Sequence, residues 1–300
     1  MPKVSYIDKT FRPSSLDLII TANLIIDDYQ RQGFKLTLRQ LYYQFVARDL
    51  IDNTQRNYKR LGSVINDARL AGHIDWDAIE DRTREVASIP HWDSPSEIIN
   101  ACARQFRIDK WRGQKYRPEV WIEKEALAGV VERVCHDLDI SFLSCRGYTS
   151  QSEMWASAMR LRDYARSQNQ IPVILHFGDH DPSGLDMTRD IRDRLKLFMG
   201  GMEVRRLALN MNQIRKFNPP PNPAKTTDSR FAAYRSRFGR ESWELDALEP
   251  TLLVGLIRKA VLSMRDDRLW KQHVDIENEM RSMLKKASDR WGDVTDMLSK

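Results

Sequence analysis

Two carboxylates two residues apart, Asp179 and Asp181 in F-G-D-H-D-P-S-G-L-D, follow directly on an apolar run from Ile171 to Phe177. The run has the length and β-branched content of a buried strand, and Pro182, Ser183 and Gly184 mark the turn that ends it. Side chains alternate along extended backbone, so Asp179 and Asp181 are expected on one side and His180 on the other. Such a pair suits a divalent ion if a third acid joins it. A hard cation such as Mg2+ takes oxygen ligands from one or two carboxylates and completes its shell with water and substrate phosphate. The competing reading is a cap, in which Asp181 or Ser183 serves the helix that follows. A second chemical candidate lies in L-R-Q-L-Y-Y-Q-F-V-A-R-D-L-I, a helix capped by Thr37. There Leu38, Leu41, Tyr42, Phe45 and Val46 form one stripe, which makes Tyr42 a core residue. Tyr43 lies beside that stripe and shares a face with Arg39, one turn earlier. A tyrosine next to an arginine can be a nucleophile.

The elements that must hold these groups are read from periodicity. A first amphipathic helix is expected from Leu16 to Gln32, with Leu16, Ile19, Ile20, Leu24 and Ile25 at helical spacing and Gly33 as its stop. A third helix, Thr54 to Ala71, carries the basic residues Arg56, Lys59, Arg60 and Arg69, and Gly72 ends it. Three short helices with a basic last member resemble a helix-turn-helix, with a wing near His73 to Glu85; a helical bundle with a solvated basic face is the alternative. Between Pro90 and Pro118 Arg104, Arg107, Lys110, Arg112, Lys115 and Arg117 are interleaved with Trp111 and Tyr116. That composition suits phosphate neutralisation and stacking, or a solvated linker.

After Pro118 strands and helices alternate. Strands are expected at Glu119 to Glu123, Ile140 to Cys145, the run ending at Asp179, and Met202 to Leu209 after Gly200-Gly201. Helices are expected at Ala126 to Leu138, Ser152 to Arg166 and Ser183 to Phe198. The alternation predicts a mainly parallel, four-stranded sheet with its site at the carboxyl ends of the strands, where Glu123 can meet Asp179 and Asp181. Beyond Asn210 the pattern weakens: N-P-P-P-N-P is a stiff spacer, and Lys225, Arg230, Arg235, Arg237 and Arg240 form a basic stretch. A buried helix from Leu252 to Met264 precedes a stripe of Ile276, Met280, Met283, Leu284, Ala287 and Trp291 between Asp275 and Met297, expected to pack on its own domain. The expected organisation is residues 1–90, a basic linker over 91–117, a metal-binding α/β domain over 118–215, and a basic loop with a helical extension over 216–300.

Three hundred residues accommodate two such domains. The net charge of +6 favours a polyanionic partner without requiring one. Cys102, Cys135 and Cys145 show no C-x-x-C pairing, so neither a zinc ribbon nor a disulfide framework is expected. With no signal-peptide core at the start and no apolar run near the roughly 18 residues a bilayer demands, a cytoplasmic protein is expected. No G-x-x-x-x-G-K-[ST] loop is present for ATP.

V-W-I-E-K-E followed by F-G-D-H-D-P-S-G-L-D resembles a Toprim domain, the metal-binding module of topoisomerases, primases and some nucleases. With T-L-R-Q-L-Y-Y upstream and R-G-Y-T-S-Q-S-E between, residues Leu36 to Leu209 resemble the A subunit of type IIB topoisomerases. That family includes topoisomerase VI and the meiotic double-strand-break protein, and the short chain is most similar to stand-alone miniature A-like proteins of mobile elements. The resemblance implies a winged-helix domain preceding a Toprim domain. It places the cleaving tyrosine on Tyr43, its arginine on Arg39, and the Mg2+-binding acids on Glu123, Asp179 and Asp181, with Glu125 as a weaker alternative to Glu123. Lys124 falls where the family has a lysine that can neutralise substrate phosphate. Implied further are transesterification to a 5′-phosphotyrosyl link on double-stranded DNA, a homodimer in which each tyrosine works against the partner's metal site, and a separate ATPase subunit for strand passage. A Toprim nuclease using metal-activated water, and a DNA-binding protein without catalysis, are the competing expectations.

Overall fold

The computed structural model describes residues 3–79, 89–200 and 202–299. It is a mixed α/β structure, 59% helical, with one four-stranded parallel sheet. Its first helix, α1 (Pro13–Arg31), begins on Pro13, whose fixed φ suits a first helical position. α1 buries Ile19, Ala22, Ile25, Ile26 and Tyr29, whereas Leu16, Ile20 and Leu24 face solvent, Leu24 at 65% exposure. The apolar face is thus rotated from the one expected, because alanine and tyrosine supply part of the contact.

α2 (Leu38–Ala47) opens with a reciprocal cap: Thr37 accepts from the Gln40 amide, and Gln40 accepts from the Thr37 amide at 2.8 Å. It stops short of Ile51, and Asp49 then takes a left-handed φ of 53°. α3 (Gln55–Leu70) is capped by Thr54. Leu61, Ile65 and Ala68 of α3 close a core with α1, α2, Leu36, Ile74 and Ile79. The wing expected near His73 to Glu85 falls partly on residues 80–88, outside the described residues. Its described start instead holds a short 3-10 turn, Trp76–Ala78, and Ile79 pairs with Leu36 in an isolated bridge.

The stretch expected as a basic linker contains α4 (Pro95–Gln105), started by Ser94 as cap and Pro95. Trp111 in it is fully buried and donates through its indole N–H to the Leu138 carbonyl, so it is unavailable for stacking on bases. β1 (Tyr116–Ile122) follows, then α5 (Ala128–Asp137), β2 (Ser141–Ser144), α6 (Gln151–Ser167), β3 (Ile171–Phe177), α7 (Pro182–Met199) and β4 (Glu203–Ala208). These agree with the expected elements to within a few residues at their ends; Gly201 lies outside the described residues.

The sheet order is β2-β1-β3-β4. Alternate residues serve opposite layers: Val120, Ile122, Leu175 and Phe177 pack toward α5, while Trp121 and Ile174 pack with Met154, Leu161, Ile191 and Leu195 of α6 and α7. From β1 the chain winds outward to β2, and from β3 it winds the other way to β4. The carboxyl ends of β1 and β3 therefore flank the switch point, the place where open α/β sheets form their crevice.

The remaining chain is α8 (Met211–Phe217), the two-residue β5 (Asn222–Pro223), α9 (Phe231–Phe238), the two-residue β6 (Glu241–Ser242), α10 (Pro250–Leu262), α11 (Asp267–Asp289) and α12 (Trp291–Leu298). β5 pairs antiparallel with β6. α10 covers the α5 face of the sheet through Leu253, Ile257 and Val261. The Asp275 to Met297 stripe is corrected in two respects: the helix breaks at Arg290, and Ile276, Met280 and Met283 are exposed. α11 is held instead by Glu277, which takes the Lys110 ammonium at 2.7 Å and the Ile108 amide at 3.0 Å. No helix among the described residues is long and apolar enough to cross a membrane.

Candidate active site

β1 ends one residue before Glu123, whose amide donates to the Phe177 carbonyl at 2.9 Å and so continues the ladder. That pairing brings Glu123 beside the loop after β3, where Glu123 Oε2 accepts the Asp179 amide at 3.0 Å. Glycine is demanded on both sides of this carboxylate. A Cβ at Gly178 would lie 2.9 Å from Glu123 Oε2, and one at Gly184 would collide with the Asp179 carbonyl. Asp179 and Asp181 both line one cavity, as alternation predicts, and His180 turns away from it. His180 packs edge-on against Tyr234, Phe238 and Trp243.

The capping reading of Asp181 is realised as well. Its Oδ1 accepts the Gly184 amide at 2.6 Å, and Ser183 donates its hydroxyl to the Asp181 carboxylate rather than capping the helix itself. Asp179 Oδ1 accepts the Leu245 amide at 2.7 Å, while Oδ2 lies 3.2 Å from Lys124 Nζ. Burial pushes the Asp179 carboxyl up to about 7 against the pull of Lys124, and burial likewise raises Glu123. Arg206 fixes the loop from beneath, donating to the carbonyls of Gly178, Asp179 and Gly184. Burial draws its pKa down to about 10.

Tyr43 is only 6% exposed, and its hydroxyl donates to Glu244 Oε2 at 2.6 Å. The same oxygen takes Lys124 Nζ at 2.5 Å and an Arg39 N–H at 3.1 Å. Arg39 also pairs with Asp246 at 3.2 Å, and Lys124 with Asp246 at 2.8 Å. Arg39 thus lies near the Tyr43 ring, 5.7 Å from its centroid, but its charge is spent on two carboxylates. Burial and the acids Asp246 and Glu244 raise the Tyr43 pKa. Burial works against the Glu244 charge, yet Lys124, Tyr43 and Arg39 outweigh it and hold its carboxyl at about 2.

Glu244 and Asp246 are site residues that no sequence pattern singled out. They arrive because His180 and Trp243 exchange two backbone hydrogen bonds, of 2.8 and 3.0 Å, which stitches the strand after α9 onto the Asp179 loop. The signal was present as E-L-D, a second pair of acids two residues apart, in W-E-L-D-A-L-E.

The cations expected to hold DNA divide into two groups. Arg56, Lys59 and Arg60 are exposed on α3, which begins two residues after Asn53, a cavity-lining residue. Arg112 and Lys115 are exposed before β1, at the opposite end of a seven-residue strand from Glu123. At about 3.3 Å per residue that end is ~20 Å away, so these two are not brought to the site. Lys124 is brought there, though ion-paired.

The cavity has a volume of about 400 Å³ and is lined by Arg39, Tyr43, Lys124, Asp179, Asp181 and Glu244 with residues in and beside the paired strands β5 and β6. Among the described residues no three His, Cys, Asp or Glu side chains form a ready-made metal cage; Lys124 is ion-paired with Asp179, Glu244 and Asp246, and Glu123 does not line the cavity. The donor set nevertheless fits a hard ion. Glu123, Asp179, Asp181, Glu244 and Asp246 outnumber the nearby cations Arg39, Lys124, Arg206 and Lys225, and an ion of the Mg2+ kind needs only one or two protein carboxylates. No family model matches the chain, and no curated protein matches it.

Proposed function

We propose that this chain is a DNA-cleaving enzyme of winged-helix plus Toprim architecture, in which Tyr43 attacks a backbone phosphorus. The observation that carries this reading is that Tyr43, Lys124, Asp179 and Asp181 line one cavity. Glu123, Asp179 and Asp181 would hold Mg2+, which when bound stabilises charge on the phosphoryl and leaving oxygens. The chain's own residues do the rest. Tyr43, Lys124 and Arg39 converge on a single Glu244 oxygen, and this donor set equally suits a phosphoryl oxygen. A phosphodiester takes the place of that carboxylate. The Tyr43 oxygen then bonds to phosphorus as the bond to the 3′ oxygen breaks; the phenolic proton passes to solvent and the 3′ oxygen takes one back. Because one phosphodiester replaces another, the step is reversible. Double-stranded DNA is the partner, met by Arg56, Lys59 and Arg60 on α3.

One observation favours a second reading, hydrolysis by water: Tyr43 is buried and donating to Glu244, which keeps it protonated. End-labelled supercoiled and linear DNA incubated with protein and Mg2+, then stopped with denaturant, separates the two. Protein attached to 5′ ends, absent in Tyr43→Phe and in Asp179→Ala, is the expected result. Metal-dependent cuts with free ends that survive Tyr43→Phe would establish the hydrolytic reading instead. Arg39→Ala should slow covalent complex formation by about 10²-fold, the usual effect of deleting one charge-stabilising donor.

A further inference from the structure

We propose that Arg206 of β4 is the positioning residue of the acid site: its guanidinium fixes the backbone that aims Glu123 and Asp181, and so sets the affinity of the site for a divalent ion. The proposal rests on the metal-binding reading of Glu123, Asp179 and Asp181, and not on the choice between tyrosine and water as nucleophile. Its basis is the geometry beneath the loop. Arg206 stands opposite His176 in the β3-β4 ladder. Its Nη2 donates to the Gly178 carbonyl at 2.9 Å and the Asp179 carbonyl at 2.5 Å, its Nη1 to the Gly184 carbonyl at 2.9 Å and the Thr188 hydroxyl at 2.7 Å, and its Nε to the Leu209 carbonyl at 3.3 Å. These five acceptors match the five N–H donors of the fork one for one.

Two of the acceptors belong to residues that also serve the acids. Asp179 turns its carbonyl to Arg206 and its amide to Glu123 Oε2, at 3.0 Å; Gly184 turns its carbonyl to Arg206 and its amide to Asp181 Oδ1, at 2.6 Å. The rotation of both carboxylates is thus set through backbone that one side chain holds. The loop needs that hold. Successive carbonyls of a strand point to opposite sides, whereas those of Gly178 and Asp179 converge on one nitrogen, an alignment of dipoles that a shared cation stabilises. A lysine would keep the charge, but its three donors radiate from one nitrogen and cannot span acceptors after β3, in α7 and after β4. The charge alone acts in the other direction. Arg206 lies close enough to Glu123, Asp179 and Asp181 to be felt by all three, so a mere counter-charge would weaken their hold on a metal. Charge and geometry therefore lead to opposite outcomes when Arg206 is replaced.

Mn2+, an oxygen-seeking ion followed directly by electron paramagnetic resonance, is titrated into wild-type, Arg206→Lys and Arg206→Gln proteins at a temperature where circular dichroism shows each to be folded. Affinity should fall by about 10- to 100-fold in both variants, the usual effect of removing a group that orients metal ligands. Covalent-complex formation on DNA should recover as Mn2+ is raised to saturation, so that the metal KM moves more than kcat. Affinity unchanged in Arg206→Lys, or tightened in Arg206→Gln, would overturn the proposal. Should these variants fail to fold, Thr188→Val removes one acceptor of the fork and Thr188→Ser keeps it. Weaker Mn2+ binding in the first and wild-type binding in the second are expected, and wild-type binding in Thr188→Val would overturn the proposal. Wild-type protein that shows no Mn2+ binding sensitive to Asp179→Ala would overturn it together with the metal-binding reading. Wild-type protein that binds Mn2+ through Asp179 but forms no covalent complex overturns the transesterification reading alone, and the role of Arg206 stands.

Discussion

Asp179 links the chemistry of the site to pH. Burial lifts its carboxyl from 3.8 to about 7, so the folded protein favours the protonated form. Its contribution to stability is complete below the unfolded value and is lost as pH rises through the folded one. Without divalent ion, the unfolding free energy should therefore decrease as pH rises from about 4 to about 7, with a slope of up to about 1.4 kcal/mol per pH unit. Asp179→Asn should flatten that slope. On the proposed reading Mg2+ would act in the opposite direction by binding the ionised acid, so its stabilising effect should grow as pH rises through this range; calorimetry with and without the ion measures both. Glu244 gives a second test. Glu244→Gln keeps the shape of the side chain but releases Arg39 and Lys124 from its charge, and should tighten binding of a labelled duplex under conditions that prevent cutting. Weaker binding in that variant would show that Glu244 organises the cations instead of competing with the phosphate.

The loop after β3 and the first turn of α7 depend on two glycines for close approach to Glu123. Gly184→Ala drives a methyl group into the Asp179 carbonyl and to 3.0 Å from Glu123 Oε2, and should cost about 1–3 kcal/mol in a denaturant titration. Gly292→Ala in α12 meets nothing within 4 Å and should instead stabilise by about 0.5–1 kcal/mol. These elements were readable from sequence wherever local rules govern. The apolar run of β3, the Thr37 cap and the alternation from β1 to β4 are short-range signals, and they placed Glu123 beside Asp179. What escaped was set by partners distant in the chain. Ile20 and Leu24 match the period of α1 but no neighbour among the described residues covers them. Glu277 is buried within an apolar-striped helix because Lys110 waits for it. Glu244 and Asp246 reach the site through the His180-Trp243 pairing and the Leu245 amide on Asp179, contacts between segments distant in the chain that no local pattern encodes.

At the level of the whole molecule, charge is distributed unevenly with respect to the cavity. Arg56, Lys59 and Arg60 lie on the helix that begins just after the cavity-lining Asn53, whereas Arg112 and Lys115 stand at the far end of β1. Removing Arg56 or Lys59 should therefore weaken DNA binding and lower its logarithmic salt dependence by about 0.9 for each phosphate that is no longer neutralised. Arg112→Ala and Lys115→Ala should leave both quantities unchanged in the same fluorescence titration; an equal effect would place DNA across the other end of the sheet. The segment from Trp243 to Glu249 joins the helical cluster to the strand ends, through Glu244, Asp246 and Glu249. In the order of synthesis that segment is made long after the tyrosine and the strand-end acids. A nascent chain, or one cut short before Ser242, would lack the Glu244, Asp246 and Glu249 contacts that tie α1 and α2 to the strand ends, so these ties form only once the last part of the chain is made.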